Sequence, residues 1–158
     1  MIGKLIVIEG LDSSGKETQS KLLMENLIKK GYNARRFEFP NYNSTSSALV
    51  KMYLSGEFGT EADDVNAYSA SAFYAVDRYA TWKKEMEEFY KAGGIIVADR
   101  YTTSNIIHQA GKIKGQDNKK SYINWLYDFE FDKMGLPRPD KVVFLHMPVD
   151  ISIKLMES

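Results

Sequence analysis

The chain has 158 residues, 44% of them hydrophobic, which is the usual length of one domain and enough for a sizeable core. Because 21 basic residues balance 21 acidic ones, nothing indicates a nucleic acid or an acidic membrane surface as the main partner. The absence of cysteine excludes disulfides, thiolate zinc sites and a thiol nucleophile. No signal peptide or long apolar span precedes the first apolar run, so we expect a single cytoplasmic domain over residues 1–158.

The first predicted element is a buried strand from Leu5 to Ile8, which leads directly into a glycine-rich loop. Gly10 and Gly15 can take positive φ angles, so the loop can turn its N–H groups inward around an anion. Lys16 adds a positive charge, and the start of the following helix adds unpaired N–H donors. That helix is predicted from apolar residues at helical spacing before Gly31: Leu22, Leu23, Leu27 and Ile28. The order of strand, loop and helix predicts a phosphate-binding loop.

The rest of the chain alternates strands with helices. Strands are predicted over Arg35–Phe39, stopped by Pro40, and over Ile95–Ala98 and Lys141–Leu145. Helical patterns cover Ala48–Leu54, Val65–Lys91, Ser104–Gln109 and Ser121–Met134, and Asp150 is placed to cap another helix. This alternation predicts an α/β fold with a doubly wound, mostly parallel sheet and helices on both faces. Ligands of such sheets bind beyond the carboxyl ends of the strands, where Gly10–Lys16, Pro40–Tyr42 and Asp99–Tyr101 all fall.

Two further groups of residues suit a nucleotide. Tyr74 and Arg78 lie four apart in the predicted long helix and therefore share a face. A planar guanidinium fits a phosphate monoester and a ring fits a base, although such a pair is also common at half-buried packing positions. Asp99 and Arg100 place two charges at a strand end, which is either a binding feature or an ordinary turn with a surface ion pair.

In this order the motifs resemble the thymidylate kinase family of P-loop nucleoside monophosphate kinases. The resemblance covers nearly all of the chain and rests on the following segments: Gly10–Gln19, Phe39–Pro40, Tyr74–Arg78, Asp99–Tyr101 with Ser104, Asn105 and Gln109, and Gly135–Asp140. It implies Mg²⁺-dependent transfer of the γ-phosphoryl group of ATP to dTMP by a homodimer, with Val65–Lys91 as the better interface candidate. It also places a last strand and a lid after residue 158, so we expect the chain to be incomplete at its C-terminus.

The resemblance also implies roles for individual residues. The implied ATP-binding residues are Gly10, Ser13, Ser14, Gly15, Lys16, Glu17 and Thr18. The implied catalytic residues are Lys16, Asp12, Asp99 and Arg100, with Asp99 organising Mg²⁺. The implied dTMP contacts are Asp12, Phe39, Pro40, Tyr42, Tyr74, Arg78, Arg100, Tyr101, Asn105 and Gln109. Among these, Tyr74 would stack on thymine, while Asn105 and Gln109 would contact its polar edge.

The sequence departs from the family pattern at two binding positions. Glu17 replaces a hydroxyl that normally ligates Mg²⁺, so Thr18 takes that role, the carboxylate holds the metal through water, or the metal site is weak. Tyr42 stands where many members have arginine, and Arg35, Arg36 or its own phenol are the candidate replacements. Two other functions stay open: a kinase of another nucleoside monophosphate or deoxynucleoside, and a nucleotide-binding module without turnover.

Overall fold

The computed structural model describes residues 2–156, apart from the side chains of Val149, Ile153, Leu155 and Met156. Four strands form one parallel sheet: β1 (Lys4–Gly10), β2 (Ala34–Glu38), β3 (Ile95–Asp99) and β4 (Lys141–Leu145), in the order β2-β3-β1-β4. The α-helices are α1 (Lys16–Lys29), α2 (Ala48–Leu54), α3 (Ala67–Thr81), α4 (Glu87–Lys91), α5 (Thr102–Gln109), α6 (Gln116–Tyr127) and α7 (Val149–Met156). Short 3-10 turns cover Thr45–Ser47 and Ala110–Lys112, and π-helical turns cover Trp82–Met86 and Asp128–Lys133. The predicted α/β class with a parallel sheet is confirmed.

The chain divides into two compact units. The sheet unit consists of Met1–Glu38, Met86–Tyr101 and Arg138–Ser158, and it contains the four strands with α1, α4 and α7. The helical unit consists of Phe39–Glu85 and Thr102–Pro137, and it contains α2, α3, α5 and α6. Within the described residues, none of the helices combines the length and the apolar character needed to cross a lipid bilayer.

The inner strands of the sheet unit are buried on both faces. Leu5 and Val7 of β1 are fully buried, as are Ile96 and Val97 of β3. Such continuous apolar burial is typical of parallel strands, which explains why β1 and β3 could be predicted from short apolar runs. The outer strand β4 differs, because Phe144 and its neighbouring valines are about half exposed.

The helical unit has its own apolar core. Ala67, Tyr122 and Leu126 are buried together, and Trp125 packs against them. The hydroxyl of Tyr122 is enclosed with them, and this burial raises its pKa to about 12. The phenol of Tyr122 therefore ionises at a higher pH than a solvated tyrosine does.

Several predicted boundaries shift. Strand β2 ends at Glu38 rather than Phe39, and a cis peptide bond joins Phe39 to Pro40. Helix α6 begins at Gln116, five residues before the predicted start. The prediction missed these residues because they are polar and show no apolar periodicity. Asp150 does not cap the last helix, since α7 begins at Val149 and the carbonyl of Pro148 accepts the N–H groups of Ile151 and Ser152.

Candidate functional site

The loop between β1 and α1 turns through several left-handed residues. Gly15 precedes α1 with φ +83°, and Ser13 has φ +59° although it carries a side chain. A Cβ at Gly10 would lie 2.8 Å from the carbonyl oxygen of Leu145, so no side chain fits there without movement of the backbone. The hydroxyl of Ser152 donates to the carbonyl of Asp12 at 2.6 Å and holds the loop from α7. Glycine is thus favoured at position 15 by its left-handed conformation and at position 10 by the lack of space for a Cβ.

The loop encloses a cation and a buried hydroxyl. Lys16 is largely buried, and its Nζ donates to the carbonyl of Leu11 at 2.5 Å and lies 3.9 Å from Asp12 Oδ1. Burial lowers the pKa of Lys16, and the nearby positive charge of Arg100 lowers it further. Ser14 Oγ is buried and has no hydrogen-bond partner within residues 2–156. A buried cation and a buried hydroxyl without a partner among the described residues, both in one loop, are the chemistry expected of a site for an anion.

Arg100 connects the end of β3 with this loop. Its guanidinium pairs with the carboxylate of Asp12, and NH1 lies 3.6 Å from the buried carboxylate of Glu9. Its backbone has φ +67°, a conformation that costs a non-glycine residue about 1–3 kcal/mol and is concentrated at functional sites. The sheet unit therefore brings three predicted residues together: Asp12, Lys16 and Arg100.

Asp99 is held at the carboxyl end of β3 by an arginine on the neighbouring strand. NH2 of Arg36 donates to Asp99 Oδ2 at 2.8 Å, and its Nε donates to Ser20 Oγ at 2.7 Å. Burial raises the pKa of Asp99, and Arg36 offsets only part of that effect. Arg35 and Arg36 are the two arginines that were candidates to replace the arginine missing at position 42. Arg36 is hydrogen-bonded to Asp99 and Ser20, and the guanidinium of Arg35 lies 4.4 Å from the centre of the Phe89 ring.

The predicted metal ligands differ in exposure: Asp99 is buried, whereas Glu17 and Thr18 are exposed. Glu17 is exposed and paired with Lys21 at 2.5 Å, a hydrogen bond that lowers the pKa of Glu17. Thr18 is also exposed. Within the described residues, no group of three or more histidine, cysteine, aspartate or glutamate side chains could hold a metal ion. Mg²⁺ in phosphoryl-transfer sites, however, is bound mainly by phosphates and water with one or two carboxylates, and Asp99 fits that mode.

In the helical unit, Arg78 is engaged by a carboxylate that the sequence did not point to. Its Nε and NH2 donate to the two oxygens of Glu130 at 2.8 and 2.5 Å, and both side chains are buried. Glu130 also accepts hydrogen bonds from Thr102 and Asn105. Two predicted residues, Arg78 and Asn105, thus meet at Glu130. The only local signal was one acidic residue between Phe129 and Phe131.

The other predicted residues of the helical unit include an aromatic ring and an amide. Tyr74 is half-buried, and the ring of Tyr53 meets it edge to face at 6.3 Å. Gln109 is buried, and its Oε1 has no hydrogen-bond partner among the described residues. Gln109 lies four residues after Asn105 on α5, which places the two amides on one helix face.

The segment after β2 is tied to α3. The N–H of Asn41 and the hydroxyl of Ser46 donate to the two oxygens of the buried Asp77 at 2.8 and 2.6 Å. Within this segment Tyr42 is exposed, whereas Phe39 is buried and Pro40 is partly buried. Tyr101, in the sheet unit, is buried. Asp77 was not predicted, because its partners are distant in sequence.

The family of the chain follows from comparison with known proteins. The family model described as thymidylate kinase matches residues 8–157. The chain belongs to the thymidylate kinase family. Thymidylate kinase from Schizosaccharomyces pombe is 34% identical over 145 residues, which are 92% of this chain and 61% of that protein. Human thymidylate kinase is 30% identical over 147 residues, again 92% of this chain and 61% of that protein.

A solved structure supports the same assignment. The thymidylate kinase of Candida albicans superposes with a TM-score of 0.73 at 25% identity, over 97% of this chain and 67% of that one. The chain therefore has the fold of a thymidylate kinase and spans about three fifths of the length of the fission yeast and human relatives.

Proposed function

We propose that this member of the thymidylate kinase family transfers the γ-phosphoryl group of ATP to dTMP, giving dTDP. The observation that carries the proposal is the loop after β1, where a left-handed turn holds the buried Lys16 and the hydroxyl of Ser14, which has no hydrogen-bond partner in the described part of the chain. The S. pombe and human relatives that are 34% and 30% identical are named thymidylate kinases, which supports dTMP as the acceptor.

The proposed chemistry needs alignment and charge neutralisation rather than a covalent nucleophile. The acceptor is already an anion at neutral pH, and charge spreads over the oxygens of the transferred phosphoryl group. We assign Lys16 and the loop N–H groups to the phosphates of ATP. Arg100 exchanges part of its contact with Asp12 for the reacting phosphates, which is feasible because the side chain of Asp12 is exposed and stays solvated when it is released.

Mg²⁺, when bound, would neutralise charge on the phosphate oxygens. The buried carboxylate of Asp99 is the protein group that best suits a metal carried by the nucleotide. Glu17 and Thr18 stay alternative additional ligands. Of the two, Glu17 would first have to leave Lys21, with which it forms an exposed pair.

We propose that side chains on α5 and α3 select thymine over other bases. The buried Oε1 of Gln109 is an acceptor without a partner among the described residues, and thymine presents an N–H donor at N3 where cytosine has none. A site that offers such an acceptor discriminates against a base that leaves the acceptor unpaired. Tyr74 supplies the ring for stacking.

We also propose that the protein is a cytoplasmic homodimer that pairs through α3. Val76 and Tyr79 are exposed and lie three residues apart, so they form an apolar patch on the helix chosen from the sequence. Sedimentation equilibrium of the wild type and of Val76→Glu tests the pairing, and a wild type that stays monomeric at micromolar concentration contradicts it.

Calorimetric titration with dTMP, dUMP, dCMP, AMP and ADP tests the reaction. We expect saturable binding that favours dTMP over the other monophosphates, and separate binding of ADP. Lys16→Ala should weaken ADP at least about tenfold, because the main positive charge of the loop is lost, and should leave the preference among monophosphates unchanged. Lys29→Ala is the matched control, since it removes an exposed lysine from the last turn of the same helix. The proposal is contradicted if the folded protein shows no binding of dTMP, or if it binds AMP or dCMP more tightly than dTMP.

A further inference from the structure

We propose that Glu130 is a positioning residue that sets the base selectivity of the acceptor site through Arg78 and Asn105. This inference rests on the proposed function, and it assigns a role to a residue that lies outside the predicted site. Glu130 is fully buried in the helical unit, so it acts on a nucleotide through the side chains that it holds.

Both oxygens of Glu130 accept two hydrogen bonds each. Oε2 accepts from Arg78 Nε at 2.8 Å and from the hydroxyl of Thr102 at 2.7 Å. Oε1 accepts from Arg78 NH2 at 2.5 Å and from the amide nitrogen of Asn105 at 3.3 Å. A two-point contact of this kind fixes the plane of a guanidinium as well as its position. One carboxylate therefore fixes side chains from α3 and α5 relative to each other.

The orientation of the Asn105 amide follows from the same contacts. Its nitrogen donates to Glu130 and also to the backbone carbonyl of Ser71, each at 3.3 Å. Both of these groups are acceptors, so they hold the amide with its nitrogen toward them and prevent an exchange of nitrogen and oxygen. The polarity that Asn105 offers to a base is thereby set by Glu130 and Ser71.

Stability alone does not account for an ion pair at this position. A buried pair can often be replaced by apolar side chains of similar volume with no loss of stability, because burial removes two charges from water. What apolar residues cannot supply is a fixed direction for the guanidinium and the amide. The arrangement therefore serves orientation, and orientation matters where a base edge is distinguished by donors and acceptors.

Glu130→Gln keeps the size of the side chain but changes its hydrogen bonds, so it tests whether Glu130 acts by orienting Arg78 and Asn105. A glutamine amide offers one acceptor and one donor, so it must turn its donor toward Arg78, Thr102 or Asn105. We expect the affinity for dTMP to fall about tenfold and the preference for dTMP over dCMP to fall by a similar factor. ADP binding should stay within about twofold, since its proposed ligands belong to the sheet unit. Asp128→Asn is the matched control, because it removes an exposed carboxylate two residues away.

Two results would overturn the inference. One is a folded Glu130→Gln variant that binds dTMP and dCMP as the wild type does. If that variant does not fold, Thr102→Val decides, because it removes one donor to Oε2 and leaves both charges paired. We expect Thr102→Val to lose about threefold in dTMP affinity, and unchanged binding and selectivity would refute the role. A wild type that fails to bind dTMP contradicts the proposed function itself, whereas selective wild-type binding with insensitive variants contradicts only this inference.

Discussion

Each of the two units contains an arginine paired with a carboxylate, and the pairs differ in their access to water. In the sheet unit Arg100 pairs with Asp12, whose side chain is 66% exposed. In the helical unit the side chains of Arg78 and Glu130 are 2% and 0% exposed. An exposed pair can give up its contact to a phosphate at little cost, but a buried pair that separates leaves a charge without solvent. Arg100 therefore suits direct contact with a reacting group, and Arg78 suits a fixed position.

The largest effect is expected where the buried pair loses one member. Glu130→Leu leaves the guanidinium of Arg78 buried without its carboxylate, and we expect the free energy of unfolding to fall by about 3–5 kcal/mol. Urea denaturation followed by circular dichroism measures the change. The double variant Arg78→Met/Glu130→Leu is the control, because it removes both charges and should recover most of the loss. If Glu130→Leu is as stable as the wild type, the Arg78–Glu130 pair does not contribute the free energy expected of a buried ion pair.

An intermediate effect is expected at the start of the sheet, where the environment lies between the two extremes. Asp140 is about one-third exposed, and its carboxylate accepts from Lys4 Nζ at 2.7 Å and from the N–H of Leu5 at 2.9 Å. Asp140→Asn should therefore lower the free energy of unfolding by about 1–2 kcal/mol at pH 7.

The same variant has a defined pH dependence. Burial would raise the pKa of Asp140, but the hydrogen bonds from Lys4 and Leu5 outweigh it, and the pKa lies below its ordinary value of 3.8. A carboxyl with a lowered pKa in the folded state stabilises the protein above its unfolded pKa, and this contribution is lost as the pH falls through the folded pKa. The difference between wild type and variant should thus be constant from pH 7 down to about pH 5 and shrink below pH 3.8. A gap that does not shrink at all as the pH falls below 3.8 would contradict this assignment.

The smallest effect on stability is expected for the exposed pair. Asp12→Asn should change the free energy of unfolding by less than about 1 kcal/mol, because the carboxylate of Asp12 is exposed and Arg100 keeps the nearby carboxylate of Glu9. Phosphoryl transfer to dTMP should nevertheless fall about tenfold or more, since Asp12 positions Arg100, which contacts the reacting phosphates in the proposed function. A coupled assay of ADP formation measures the rate. Equal rates in wild type and variant would remove Asp12 from the proposed catalytic set.

The phosphate-binding loop is the part of the candidate site that local sequence describes best. Gly15 and Lys16 have conformations and surroundings that follow from their neighbours in the chain, because a strand, a turn and a helix start all lie within about a dozen residues. Arg78 shows the opposite case. Its helical position was predictable from spacing, but its partner Glu130 is 52 residues away, and no pattern in either segment connects them.

By itself, the sequence determined the α/β class, the two buried strands β1 and β3 and the glycine turn before α1, because apolar runs and glycines act over a few residues. Tertiary structure decided which charges face water and which face each other. Asp77 became the anchor of the segment after β2, and Arg36 was joined to Asp99 across two strands. Glu130 became the centre of a buried network. The physical reason is that hydrogen bonds and ion pairs depend on distances between side chains far apart in the chain, which no local period encodes.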